Sequence, residues 1–371
     1  MDSDLPEPDR VDGAPHPRDT VALLGQDVAQ ADFLMAFNSD RLHHGWLLTG
    51  PRGVGKATLA WSIARFLLAT PESDAKDMFG APPAPTTLAI DPDNPVARRM
   101  SAGAEPGLFV LRRPYDEKTK KLRQQITVDE VRRLKNFFAM SAADGGRRVV
   151  IVDAADEMNT NAANALLKLL EEPPARATLL LVSHQPTRLL PTIRSRCREL
   201  RLSTLDAADM ASALKQAGAD DLTSAEALAA LSGGSVGEAV RLLNLDGLDL
   251  YAELIAILGS LPQLDRPRAL KLAEKAAARG GEARLDVLLT LIDLALARLA
   301  RTGVTGQPPP SATPNEADIL RRLSPDAHKG RDWANIAQDI RARVQHGRAV
   351  NLDPAALVLD TVFKIQHTAA R

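Results

Sequence analysis

Apolar and polar positions divide the chain into a part where short apolar runs alternate with amphipathic stretches and a part that is amphipathic throughout. From Asp19 to Asn38 the residues Val21, Leu24, Val28, Phe33, Leu34 and Phe37 recur at helical spacing, broken at Gly25-Gln26-Asp27. Trp46-Leu47-Leu48-Thr49 reads as a short buried strand, and a helix follows through Trp61 and Arg65 to Leu68. Leu108-Phe109-Val110-Leu111 is a second strand. Thr127 or Asp129 then caps a helix with Val131, Leu134, Phe137 and Phe138 on one side. Val149-Val150-Ile151-Val152 is an unbroken β-branched run ending in Asp153, the pattern of a parallel strand buried on both faces. A helix from Asn161 stops at Pro173-Pro174, and two further strands follow, one at Thr178–His184 with the polar Ser183 and His184 at its end and one at Leu200–Leu202. Strands alternating with helices predict an α/β domain with a parallel sheet.

From about Ser203 only helices are predicted: 205–217, 224–231, one from Gly233 through Leu243, and four to six more from Leu248 to the end. The fold class is α/β plus all-α, with an α/β domain over 18–202, a small helical segment over 203–246 and a larger one over 247–371. Residues 1–17 are acidic and proline-rich and predict a disordered tail. Residues 70–95 are proline-dense and predict an inserted loop. Arg112 to Lys121 is a charged loop, either a solvated face or a weak contact for DNA or a partner. His43-His44 would face opposite sides of a strand, which suits surface and packing roles better than a shared metal.

A length of 371 residues fits two or three domains. The balance of 46 Lys and Arg against 47 Asp and Glu gives a net charge of −1, so any nucleic-acid contact must be a local patch. One cysteine, Cys197, excludes a disulfide framework and an all-cysteine zinc site. No metal is expected. No apolar run reaches about 18 residues and the start is unlike a signal peptide, so a cytoplasmic location is expected.

The candidate chemistry begins at Gly50-Pro51-Arg52-Gly53-Val54-Gly55-Lys56, which has phosphate-loop spacing between a strand and a helix. Gly50, Gly53 and Gly55 would let successive N–H groups point at a phosphate, with Lys56 as a point charge at the helix start. The position that should carry a metal-binding hydroxyl is Ala57. Thr58 comes about 100° further round the helix. Asp153, at the carboxyl end of its strand, is the candidate magnesium partner, but the next residue is Ala154 where an ATPase needs a glutamate. A glycine-rich turn used only for packing is the alternative.

Together these stretches resemble the clamp-loader branch of the AAA+ family, over about Leu24 to Leu202. The resemblance rests on the phosphate loop, Val152-Asp153-Ala154-Ala155, the run from Asn164-Ala165-Leu166-Leu167-Lys168 to Glu171-Glu172-Pro173-Pro174, and Ser195-Arg196-Cys197. It implies a phosphate-loop domain, a helical lid and a C-terminal helical collar. It implies that Arg196 is an arginine finger reaching a neighbour's ATP, with Lys168 a candidate DNA contact. Ala57, Ala154 and Gly237, in the Gly234-Ser235-Val236-Gly237 turn, stand where motor subunits carry a threonine, a glutamate and a sensor arginine. The family's four-cysteine zinc module is absent. These departures imply a non-motor ring member that needs no cofactor, holds ATP or ADP weakly at most, and is not catalytic alone. Its implied partners are motor (gamma/tau) and delta subunits, the sliding clamp and primed DNA, within a DNA polymerase holoenzyme. An active AAA+ motor and a phosphate-loop phosphoryl-transfer enzyme are the competing readings.

Overall fold

The computed structural model describes residues 6–20, 22–39, 42–70, 83–140, 146–219, 224–278 and 281–371. The chain divides into two units, residues 1–219 with 235–237, and residues 220–234 with 238–371.

The first unit is organised by its apolar runs. They form β1 (Gly45–Thr49), β2 (Leu108–Arg112), β5 (Arg148–Asp153), β6 (Ala177–Val182) and β7 (Arg198–Arg201), with a small hairpin, β3 (Tyr115–Asp116) and β4 (Lys121–Leu122), between β2 and β5. The five long strands make one parallel sheet in the order β2-β5-β6-β1-β7. Every residue of β1, β5 and β6 is buried, which is why these runs are continuously apolar. At the β7 edge only Leu200 is buried, and exposed Arg198, Glu199 and Arg201 discourage further strand pairing. The two-residue strands β3 and β4 lie within the predicted charged loop; segments so short carry no period to read.

The helices of this unit are α1 (Asp27–Asn38), α2 (Lys56–Ala69), α3 (Pro95–Ser101), α4 (Val128–Met140), α5 (Thr160–Glu171), the single turn α6 (Pro191–Arg194) and α7 (Ala207–Gln216). Asn159 caps α5 by accepting from Ala162 N–H at 2.9 Å. Leu166 and Leu170 of α5 and Leu134 of α4 then pack with Val150, Val152, Leu179 and Leu181 of the sheet. The helix expected from Asp19 begins at Asp27, because Gly25 takes a left-handed φ of 68°. Val21 lies outside the described residues, as do residues 71–82 of the predicted insert. Residues 83–94 hold neither helix nor strand.

Residues 6–20 correct the predicted tail. Glu7 pairs with Arg18 at 2.5 Å and Arg112 at 2.7 Å, and Asp9 with Arg112 at 3.2 Å and His16 at 3.3 Å. Composition predicts disorder because like charges repel and stay hydrated. Here Glu7 and Asp9 have cationic partners, and His16 is buried edge-on to Trp61 of α2. Arg112 and Arg113, counted in the basic loop, are neutralised too, the latter by Glu157 at 2.7 Å.

The second unit is helical: α8 (Ala225–Ser232), α9 (Val236–Asn244, entering from the 235–237 segment), α10 (Gly247–Ser260), α11 (Arg266–Ala277), α12 (Glu282–Thr305), α13 (Glu316–Leu323), α14 (Ala327–Ala349) and α15 (Pro354–Ala370). Gly303 of α12 and Gly330 of α14 allow those helices to approach closely: a Cβ on Gly330 would lie 2.8 Å from the Ala300 carbonyl. A buried polar cluster ties α10, α12 and α13 together. Arg298 Nε meets Glu316 at 2.8 Å, and the Tyr251 hydroxyl donates to Glu316 at 2.6 Å. Glu316 also accepts from Ala312 N–H at 2.7 Å, and Arg298 donates to the Pro310 carbonyl, so the proline-rich stretch from Pro308 to Pro314 is pinned from both sides. Removing one partner strands the other charge in the core. Glu316→Leu is therefore expected to lower stability by about 3–5 kcal/mol, with Arg298→Met/Glu316→Leu recovering much of it. Urea denaturation of both variants checks this; equal losses would show that the pair is not the unit of stability.

Candidate functional site

The phosphate loop continues from the buried end of β1 into α2. Gly50, Gly53 and Gly55 have φ of 138°, 76° and 100°, which side chains rarely adopt. Lys56 opens α2 and is 3 % exposed. Its ammonium donates back to the Gly50 carbonyl at 2.8 Å and to the Pro51 carbonyl, rather than outward. Burial lowers it to about 8, while Asp153 and Asp156 oppose the shift. Ala57 brings no hydroxyl. The Thr58 side chain is half-buried and hydrogen-bonds to nothing among the described residues.

Asp153 closes β5 at the same edge of the sheet and is 6 % exposed. Burial pushes its carboxyl up to about 7; the Asp9 and Glu157 carboxylates raise it further and Lys56 opposes them. Ala154 is buried beside it. Asp156 and Glu157 sit in the tight turn Ala155–Glu157 and are already engaged. Asp156 accepts from His184 N–H at 2.9 Å and Glu157 pairs with Arg113, so neither replaces the missing glutamate.

The polar residues that end β6 lie at this edge, where the sequence assigned them no role. Ser183, directly after β6, is fully buried and its hydroxyl has no hydrogen-bond partner among the described residues. Its signal was available, since a hydroxyl ends an otherwise apolar strand. His184 is pushed down to about 4 by burial and by Lys56. Gln26, a break residue in the sequence, donates to Val54 O at 3.2 Å and Ser203 O at 2.8 Å, tying the loop to the stretch after β7.

Arg196 lies elsewhere. It follows α6 in the turn that leads into β7, 37 % exposed, paired with Glu171 at 2.9 Å and donating to Thr192 O at 3.1 Å. This turn packs at the amino end of β1, where a Cβ on Gly45 would lie 3.2 Å from the Arg196 carbonyl. The phosphate loop leaves the carboxyl end of β1. Four residue steps at roughly 3.3 Å put about 13 Å between the two ends of that strand. The structure thus brings Gly50, Gly53, Gly55, Lys56 and Asp153 together and leaves Arg196 out. Cys197 is a packing residue, its thiol pushed up to about 12 by burial. Lys168 is exposed on α5. Among the described residues no group of three or more His, Cys, Asp or Glu is placed to hold a metal, and no helix is long and apolar enough to cross a membrane.

Because its carboxyl is held near 7, folded Asp153 binds a proton more tightly than it does in the unfolded chain, where the value is about 4. That contribution favours folding below about pH 4 and is lost as pH rises through 7. Asp153→Asn should leave stability unchanged near pH 4 and raise it by up to about 4 kcal/mol at pH 8. Urea midpoints at the two pH values check this, and equal shifts at both would contradict the assigned burial.

Comparison with known proteins places the chain. The family model described as "DNA polymerase III, delta subunit" matches residues 25–206. The DNA polymerase III subunit delta' of Pseudomonas aeruginosa is 42% identical over 200 residues, 54% of this chain and 55% of that one. The subunit of the same name from Escherichia coli is 30% identical over 337 residues, covering 90% of this chain and 91% of that one. DNA polymerase III subunit tau of Salmonella typhimurium is 27% identical over 289 residues, 76% of this chain and 41% of that protein. With 30% identity to the Escherichia coli subunit along nine-tenths of its length, the chain belongs to the DNA polymerase III delta-prime family.

Proposed function

We propose that this chain serves a clamp loader as a ring member that does not hydrolyse ATP itself and that places Arg196 against a nucleotide held by a neighbouring subunit. The observation that carries the reading is the placement of Arg196 at the amino end of β1, away from the chain's own phosphate loop at the other end. A guanidinium there cannot reach a nucleotide in the same domain, whereas a planar cation presented on a subunit edge suits charge building up on a neighbour's transferring phosphoryl group. The pairing with Glu171 holds the side chain within the turn until a stronger anion is presented. The absent hydroxyl at Ala57, carboxylate at Ala154 and cation at Gly237 each remove a group that stabilises the reaction, and together they leave little stand-alone turnover.

The partners that suit this role are gamma/tau-type motor subunits, a delta-type subunit, the sliding clamp and primed DNA, in the cytoplasm and with no required cofactor. Lys168 offers a phosphate contact of the sequence-independent kind. The test combines this chain with motor and delta subunits, clamp and primed DNA. Arg196→Ala should reduce DNA-stimulated ATP turnover at the adjoining site by about tenfold or more while assembly is retained, and Arg196→Lys should recover little of it. Equal rates for the parent and Arg196→Ala would remove the finger assignment. Brisk hydrolysis by the purified chain alone would remove the non-motor reading.

A further inference from the structure

Three observations converge on the phosphate loop from outside it. Gly237 N–H donates to the Gly53 carbonyl at 3.0 Å, and a Cβ on Gly53 would meet Gly237 Cα at 3.2 Å, so the middle of the loop is covered by the turn at residues 235–237. Val11 then covers that turn, its Cγ2 3.6 Å from the position a Cβ on Gly237 would take. From the other side Leu23 sits against Gly55, its Cδ1 2.6 Å from where a Cβ would be.

Beyond Val11 the segment is fastened by its acids. The Asp9 side chain is 1 % exposed and is held by Trp61 Nε1 at 3.2 Å, by Arg112 at 3.2 Å and by His16 at 3.3 Å. Glu7 bridges Arg18, Arg112 and His16. Trp61 belongs to the helix that the loop opens, and Arg112 pairs in register with Asp153. The fastening therefore lies against the working end of the sheet. Asp9 is also the charge that most raises the Asp153 carboxyl. Any polyanion entering the pocket would meet that carboxylate as well as Asp153.

We propose that residues 6–16 are an intramolecular plug that keeps a latent nucleoside-diphosphate or triphosphate site closed. The loop keeps the backbone shape that cradles phosphates, with Gly50, Gly53 and Gly55 at positive φ and Lys56 at the helix start. What it lacks is access. Displacement of the segment takes Val11 off the turn at residues 235–237 so that this turn can lift from Gly53, removes the repelling carboxylates and frees Lys56 to turn outward. This device is independent of Arg196, because it concerns binding in this chain's own pocket.

The experiment measures binding of the fluorescent nucleotide mant-ADP to the purified full chain, to Glu7→Lys/Asp9→Lys and to a chain lacking residues 1–12. The charge reversal sets lysines against Arg18 and Arg112 and expels the segment without altering the sheet. Folding of each is confirmed by circular dichroism; the reversal serves where the truncated chain does not fold. The expected result is binding at least tenfold tighter in the released chains than in the parent, abolished when Lys56→Ala is added. Parent binding as tight as that of the released chains overturns the proposal, as does a folded charge-reversal chain that binds no better than the parent. Neither result bears on the finger at Arg196, which is read from a neighbour's turnover.

Discussion

A parallel strand has two chemically unlike ends, and the functional reading of this protein depends on β1 using both. Its carboxyl end runs into the glycine loop and Lys56, beside Asp153 of β5. Its amino end packs against the turn that carries Arg196. A sheet is stiff along its strands, so the separation of about 13 Å cannot be closed by rotating side chains. An arginine held there must act on another molecule or be only structural. The proposed part in a neighbour's reaction rests on that geometric constraint more than on the loss of any one catalytic group.

The phosphate loop also shows why a motif can persist in a sequence without its chemistry. A Cβ on Gly50 would collide with the Leu202 carbonyl, and one on Gly53 would press on Gly237. The glycines are thus required by packing whether or not phosphate is ever bound. Lys56 is likewise spent on two backbone carbonyls. The two readings of the loop offered by the sequence, phosphate cradle and tight structural turn, are not exclusive: the shape serves both. The residues that distinguish them are Ala57 and Ala154, where side-chain chemistry has gone and no packing need replaces it.

What could be read directly was local. The apolar runs of β1, β5 and β6, the glycine spacing, Asp153 and the Arg196 turn all lie within windows of a few residues, where period and spacing carry the signal. What could not be read was set by pairing across the chain. Asp9 meets Trp61 and Arg112, which are 52 and 103 residues away, and no composition rule forecasts that an acidic, proline-rich start will find them. The same composition that predicts a solvated tail gives a packed segment once Glu7 and Asp9 have Arg18 and Arg112 beside them. Arg112 was misread for the mirror reason: seen among Arg113, Lys118, Lys120 and Lys121 it looks like a basic loop, yet it ends β2 and is neutralised by Glu7 and Asp9. Ser183 was legible only as a polar residue ending an apolar strand, because a lone hydroxyl there gains meaning only when the neighbouring strand ends in Asp153.

Among the described residues each unit holds an acid–arginine cluster that fastens separate segments, and the two differ in how dry they are. Arg298 and Glu316 are 6 % and 0 % exposed and are surrounded by a tyrosine hydroxyl and backbone groups that complete their bonding. Separating them would strand both charges in a dry interior, so that cluster is a permanent fastening. In the other cluster Asp9 and His16 are 1 % and 4 % exposed, but the groups they meet are wetter: Arg112 and Glu7 are 30 % and 12 % exposed, and Arg18 is 21 % exposed. Water can replace those contacts as they open, which lowers the cost of separation well below that of a fully buried pair. A fastening that only needs to hold a domain together gains nothing from being partly wet. One that holds a segment over a phosphate loop can be undone without unfolding the sheet beneath it, and a segment able to leave is what separates a pocket that is closed from a pocket that has been lost.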